Sequence, residues 1–395
     1  MKEKEKKRIF WVSFLNIDFS NIISQTQIIE KLTQHGFIAH LFTTGNKKKL
    51  YQKYTTTCIR LAYLPVISPL IYLSVLMVYL PFLILKKRPS FIVLEPTAYI
   101  IGLALTPITR ILRIKIIMDI RTTPVDPLKN FSAYLRSISF RTSILIAKTK
   151  FDGITILTEM MKDEICSEYG IERKFVGVVS SGVSTDLFNP IRYNSQQLRE
   201  EFGLKNEFLI FYHGAMGEGR SEGIIATIKS FLLLKNSVFY KLFLLGEPSV
   251  TIKKTIEENN LDKYVLIQKR VPYEIVPRLI AMCDIGIVPL SDSPKWRNQS
   301  PLKLLEYLSM GKPVIVTDIL AHRNILADDK SGIYINSIEP SEIAKAISYA
   351  YENRCRLNKW GLSGRKIVES SYSWDKVAFD FEAFLKNLDS TENID

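Results

Sequence analysis

The chain is 395 residues long, 47% hydrophobic and 24% charged. That is long enough for two or three separately cored domains and too apolar for a disordered polymer. Its net charge of +13 is lopsided: residues 1–190 hold 26 Lys/Arg against 14 Asp/Glu, and the remainder holds 27 against 26. A basic first half suits an anionic neighbour such as phospholipid headgroups, phosphorylated acceptors or nucleic acid.

Four cysteines, Cys58, Cys166, Cys283 and Cys355, lie far apart without a CxxC pair, and read as reduced thiols in a reducing compartment. His35, His40, His213 and His322 lack metal-ligand spacing, so no metal site is expected. The start, "MKEKEKKRIFWVSFLNID", lacks the long apolar region and small-residue cleavage site of a signal peptide. "RIFWVSFLNI" reads instead as a first buried strand, "SQTQIIEKLTQHG" as an amphipathic helix stopping at Gly36, and "FIAHLFTT" as a second strand.

Residues 61–85, "LAYLPVISPLIYLSVLMVYLPFLIL", carry no charge between Arg60 and Lys86. Their length would span a bilayer, but Pro65, Pro69 and Pro81 interrupt them. Three readings stay open: a buried helix, a helix in a membrane interface with "KKR" at 86–88 touching headgroups, and a true span.

Alternation then resumes. "SFIVLEP", "KIIMDIR", "DGITILT" and "FVGVVSSGV" read as strands, with helices over 98–113, 130–150 and 159–170 between them. The pattern pauses over 184–207 and restarts. "FLIFYHG", "YKLFLLG", "YVLIQKR" and "DIGIVPL" are strands, separated by helices over 221–234, 250–260 and 273–283. Strands alternating with helices predict two parallel, doubly wound α/β sheets with ligands bound in a cleft at their carboxyl ends.

The next segment, "SPLKLLEYLSMGKPVIVTD", carries the chemistry. Ser300 reads as a helix N-cap and Pro301 as the first helical residue. Leu302, Leu305 and Leu308 make an inward face, and Gly311 is the stop. Lys303 and Glu306 share another face. The helix N-terminus suits a phosphate, Lys303 adds a full charge, and Glu306 offers a carboxylate to vicinal hydroxyls such as those of a ribose. A plain surface ion pair fits the same spacing. "YHGAMGEGRSEG", from Tyr212 to Gly223, is a second anion candidate: its glycines admit close backbone approach, and Arg220 can fork onto a diphosphate. It matches neither GxGxxG nor GxxxxGK[ST].

With these segments the chain resembles the retaining glycosyltransferases of family 4, built on the GT-B plan. That plan has two Rossmann-like doubly wound domains facing across a cleft, with a C-terminal helix crossing back to the first. The likeness rests on residues 152–190, on "FYHGAMGEGRSEG", on "CDIGIVPL" with "SPLKLLEYLSMGKPVIVTD", and on "SYSWDKVAFDFEAFL". It implies an acceptor domain over 1–183, a linker over 184–207, a donor domain over 208–370 and a returning helix and tail over 371–395.

The resemblance also implies roles. Glu306 would hold the nucleotide ribose, and Arg220 and Lys303 the diphosphate leaving group. Gly214 would sit near the phosphates, and Ser300, Pro301 and Leu302 would form the helix start that meets them. Backbone around Lys269, Arg270 and Val271 would face the base. Fixed cations would replace a metal, leaving no cofactor beyond the nucleotide-sugar co-substrate. Transfer would run with retention through an oxocarbenium-like transition state.

Some positions depart from the family. The acidic residue common eight positions before the ribose carboxylate is Asn298 here, which would hydrogen-bond the transferred sugar. Loop cations of the family are replaced by Ala215 and Glu222, and the first strand-loop, "LNIDFSNIIS", has no glycine. Asp119 and Arg121 end a strand and could touch acceptor or sugar, or simply pair with each other. His213 reads as a loop-packing residue. The expected activity is sugar transfer to a lipid-linked or envelope glycan acceptor, at the cytoplasmic, inner face of an anionic cell membrane. The rivals are a same-fold epimerase or phosphorylase and a non-catalytic nucleotide-sugar binder. No nucleic-acid motif is present.

Overall fold

A computed structural model describes residues 6–18, 22–45, 54–61, 67–123, 131–217, 221–234, 239–326 and 331–390. They fall into two compact units: 1–180 with 374–395, and 181–373.

The first unit opens with β1 (Arg8–Asn16), α1 (Ile23–Gln34), β2 (Ile38–Thr44) and β3 (Thr55–Ile59). It continues through α2 (Ile67–Lys87), β4 (Phe91–Leu94), α3 (Tyr99–Ile111), β5 (Lys115–Ile120), α4 (Phe131–Lys150), β6 (Gly153–Ile156), α5 (Glu159–Tyr169) and β7 (Val176–Val178). The strands form one parallel sheet in the order β3-β2-β1-β4-β5-β6-β7, so chain direction across the sheet reverses between β1 and β4. Helix ends follow local chemistry. At the start of α5, Thr158 Oγ1 accepts from Met161 N at 3.2 Å, and Gly170 closes the helix with φ +59°.

The uncharged 61–85 stretch becomes α2. Tyr72, Leu76, Leu80, Leu83 and Ile84 recur at helical spacing and enter the core against β1, β4 and β5. Its other faces remain exposed, so it is neither a wholly buried helix nor one released from the sheet. β3 was not anticipated: "TTTCI" is short and polar, as edge strands often are.

The second unit begins with α6 (Ser195–Glu201), followed by β8 (Phe208–His213), α7 (Glu222–Ser230), β9 (Tyr240–Leu245), α8 (Val250–Glu258), β10 (Val265–Gln268), α9 (Val276–Ala281) and β11 (Ile285–Val288). It ends with α10 (Pro294–Arg297), α11 (Leu302–Ser309), β12 (Val314–Thr317), α12 (Leu320–Leu326), β13 (Gly332–Ile335), α13 (Pro340–Glu352) and α14 (Leu357–Ser371). Its parallel sheet runs β10-β9-β8-β11-β12-β13, reversing between β8 and β11. Residues 184–207 are part of this body: Phe188, Leu198 and Leu204 are buried in its core.

The last helix, α15 (Trp374–Ser390), belongs to the first unit. Trp374, Phe381 and Leu385 are buried, and the Phe381 ring lies 5.4 Å from that of Trp11. Gly153 on β6 and Gly177 on β7 seat Phe384, since a Cβ on either would come within 2.8 and 2.6 Å of its ring. The helix that returns to the first unit was therefore legible in the sequence, and its seat is two strand glycines.

Candidate functional site

The carboxyl ends of the second unit's strands gather Gly214, Lys303 and Glu306 from among the residues singled out above. β8 is a fully buried strand that ends at His213, and Gly214 then turns with φ +114°, a conformation that side chains with a Cβ resist. A Cβ at Gly214 would lie 3.3 Å from Lys303 Nζ, so the missing side chain is what lets the ammonium approach this turn. Gly223 serves packing instead: a Cβ there would fall 1.8 Å from the Pro289 carbonyl oxygen. The loop between, 218–220, includes Arg220 and lies outside the described residues.

Helix α11 starts one residue later than expected. Pro301 occupies the N-cap position with extended backbone and no side-chain cap bond. Ser300 is therefore not the cap, and its Oγ is buried without a hydrogen-bond partner. The inward face also differs: Leu304, Leu305, Tyr307 and Leu308 are buried, whereas Leu302 is half-exposed. Leu302 is the first residue of the helix, so it sits at the rim, with the buried stripe beginning at Leu304.

Lys303 and Glu306 meet different partners. Lys303 Nζ sits 3.8 Å from the centre of the Tyr212 ring, a cation–π contact that leaves its donors free for an anion. Glu306 is only 3% exposed. A buried carboxylate is costly unless held, and here Tyr273 Oη donates to Oε1 at 2.7 Å. His213 Nε2 stands 3.0 Å from Oε2, close enough for an ion pair when protonated but too poorly aligned for a hydrogen bond. Burial, then the Glu306 charge, pushes the Tyr273 phenol well above its ordinary range, so it stays a donor. Tyr307 Oη accepts from the His213 backbone N–H at 3.1 Å, and Gly286 makes room for the Tyr307 ring on β11. His213 is thus an immediate neighbour of the carboxylate rather than loop packing alone.

Lys269, Arg270 and Val271 follow β10. The first two are exposed and Val271 packs on the core, leading into Pro272 and Tyr273. Asn298 closes the four-residue α10 at half exposure. No sequence motif marks Tyr273 or Tyr307 as site residues. Tyr273 lies 33 positions from Glu306, and no local spacing ties them.

Asp119 belongs to the first unit and is fully buried. Arg121 Nε donates to its Oδ2 at 2.9 Å and Thr155 Oγ1 to its Oδ1 at 2.7 Å. Arg121 also donates to the carbonyls of Val179 and Ser180. Both carboxylate oxygens are engaged, which favours the ion-pair reading over contact with a ligand. A second buried carboxylate escaped the sequence reading altogether. Glu95, directly after β4, accepts from Ser13 Oγ at 2.6 Å, Gln25 Nε2 at 3.1 Å and Phe14 N at 3.2 Å. Burial pushes its carboxyl up to about 7. Among the described residues no group of His, Cys, Asp and Glu could hold a metal ion.

A helix start, an ammonium set over the Tyr212 ring and a buried carboxylate one turn deeper suit a phosphorylated ligand that also carries a diol. Residues 207–353 match a family model described as glycosyl transferases group 1, so that similarity lies in the second unit. A putative glycosyltransferase of Bacillus subtilis, YtcC, is 22% identical over 57% of this chain and 58% of its own length. A GDP-mannose-dependent phosphatidylinositol monomannoside mannosyltransferase of Mycobacterium tuberculosis is 19% identical over 60% of this chain and 63% of its own. The chain thus spans less than two thirds of the curated relatives it matches. Anabaena HepE, solved with UDP and glucose, superposes with a TM-score of 0.73 at 14% identity, covering 96% of this chain and 99% of that one. The fold is GT-B, with parallel sheets of seven and six strands.

Proposed function

We propose that the protein is a glycosyltransferase that takes its sugar from a nucleotide-sugar donor held by the second unit. The observation that carries this reading is Glu306: a carboxylate oriented by Tyr273, one turn behind a helix start and Lys303. Its remaining lone pairs accept from the two ribose hydroxyls. Lys303, Arg220 and the backbone N–H groups of Ser300 and Leu302 meet the diphosphate, with Gly214 allowing close approach. The loop at Lys269–Val271 faces the base, and Asn298 lies by the sugar.

Breaking the sugar–phosphate bond leaves charge on the diphosphate. Preorganised cations and N–H groups stabilise that charge as it develops, an effect on the order of 2–4 kcal/mol per contact. The same groups do the work of a metal, and the anomeric configuration is retained. The acceptor is a lipid-linked or envelope glycan, handled by the first unit at the inner face of an anionic membrane. The basic first half, the lipid named in the mycobacterial relative's description and four cysteines outside any disulfide support that setting.

A binding screen of UDP-, GDP- and ADP-sugars, followed by turnover on membrane extracts with and without EDTA, tests the reading. Binding of one donor and EDTA-insensitive release of its nucleotide are expected. Failure to bind any donor would contradict the site assignment, and Mg²⁺-reversible loss with EDTA would contradict the metal-free step.

A further inference from the structure

The helices over one face of the first sheet carry an apolar surface that the core does not use. While α2 buries one stripe, Leu70, Val75, Val78, Phe82 and Leu85 point away from the sheet, with Val78 80% and Phe82 64% exposed. A shallow apolar groove of about 620 Å³ runs along this face between Ser74 and Phe82. α3 packs beside α2 and α4 beside α3, and they extend the surface with Ile111 and Leu145. Soluble monomers rarely keep contiguous apolar patches of this extent, because each Å² left wet forgoes roughly 25 cal/mol.

Charge indicates what covers it. α2, α3 and α4 each connect parallel strands of one sheet, so they run antiparallel to the strands and parallel to one another. Their C-terminal ends therefore lie along one edge. That edge exposes Lys86, Lys87, Arg88, Arg110, Arg113 and Lys150. None of the three helices contains an Asp or Glu. The carboxylates that flank the layer are already paired, Asp152 with Lys115 and Glu168 with Arg141, so a second copy of this face would bring apolar surface but little to neutralise the rim. A bilayer with anionic headgroups supplies both.

We infer that the α2–α4 layer is a membrane-docking face, lying flat in the interface of an anionic bilayer with its basic edge among the headgroups. This deepens the location proposed above and rests on it only for the choice of leaflet. The Tyr72 hydroxyl is shared between the carbonyls of Ser13, at 2.7 Å, and Phe42, at 2.9 Å, which pins α2 to the sheet. A helix so held lies on a membrane and does not cross it. Helices lying flat also turn the carboxyl ends of the first sheet sideways, about one helix diameter (~10–12 Å) above the headgroups, where a lipid's polar end stands.

Flotation with phosphatidylglycerol and phosphatidylcholine vesicles, at low and high salt, tests this on the full chain. The wild type should float with the anionic vesicles and release in salt. Val78→Asp with Phe82→Asp, and separately Lys86→Ser, Lys87→Ser and Arg88→Ser, should each lower the bound fraction at least about tenfold. Nucleotide-sugar binding, read without lipid, should be unchanged in both, so a failure of the donor site would show separately. Should the Asp pair fail to fold, Phe82→Trp decides: brominated lipid should quench the added fluorescence, and an unquenched signal overturns the inference. Equal flotation of the wild type and a folded Asp pair overturns it too. So does a lipid-free dimer that the Asp pair dissolves, which would make a second copy the occupant.

Discussion

The two sheets share a topology and end differently at their reversal points. In the first unit, Glu95 and Asp119 fill the carboxyl ends of the strands, and each is closed by donors from its own unit. In the second, the corresponding end has a glycine turn, a lysine over the Tyr212 ring and a carboxylate held by the Tyr273 hydroxyl with His213 beside its other oxygen. Their outer helices differ as well. Carboxylates are missing from α2–α4, whereas α13 carries Glu342 paired with Lys345. One fold is thus finished in two ways: polar groups locked inward make a scaffold, and polar groups turned to the open end make up the proposed donor site.

The contrast can be broken from either side. Asp119→Asn leaves Arg121 buried without its charge partner and should cost roughly 3–5 kcal/mol of stability while sparing donor affinity. Denaturant unfolding and donor titration read the two separately, and loss of donor affinity without loss of stability would reverse the assignment. Lys303→Ala should do the opposite. It should lower kcat/KM by about 30- to 1000-fold, corresponding to roughly 2–4 kcal/mol, with unchanged melting; activity within twofold of wild type would remove it from the site.

Glu95 gives the scaffold a pH dependence. Its carboxyl is raised from an ordinary 4.5 to about 7, so the folded chain holds this proton more tightly than the unfolded chain. Stability from this group is complete below pH 4.5 and is lost as pH rises through 7. Between pH 5 and 8 the loss should be roughly 2–3 kcal/mol, and Glu95→Gln should flatten that slope. Unfolding curves across this range check it, and an unaltered slope in the variant would refute it. The smallest effect belongs to Tyr273→Phe, which frees one side of Glu306 and should weaken donor binding about tenfold, ~1.4 kcal/mol. Full affinity in this variant would show that the phenol does not orient the carboxylate.

Much of this architecture was legible beforehand because strand and helix periods alternate cleanly along the chain. The segment from Ser300 to Asp318 already displayed a helix start, a cation, a carboxylate and a buried strand. What stayed hidden were relations between distant positions. Tyr273 meets Glu306 through the end of β10, and Glu95 meets Ser13 and Gln25 through strand order. The polar edge strand β3 lacks the apolar run that marks the others. Ser300 and Pro301 each shifted one place because the extended Pro301 backbone, not the serine side chain, begins the helix.

The central claim is that Glu306 grips the ribose of a nucleotide-sugar held by the second unit. Calorimetric titration of the preferred donor and of its 2′-deoxyribose analogue into wild-type and Glu306→Gln protein tests it most directly. Wild-type protein should discriminate against the deoxy analogue by tenfold or more, about 1.4 kcal/mol, and Glu306→Gln should bind the two donors alike. Equal affinity of the wild type for both, or discrimination that survives Glu306→Gln, would contradict it.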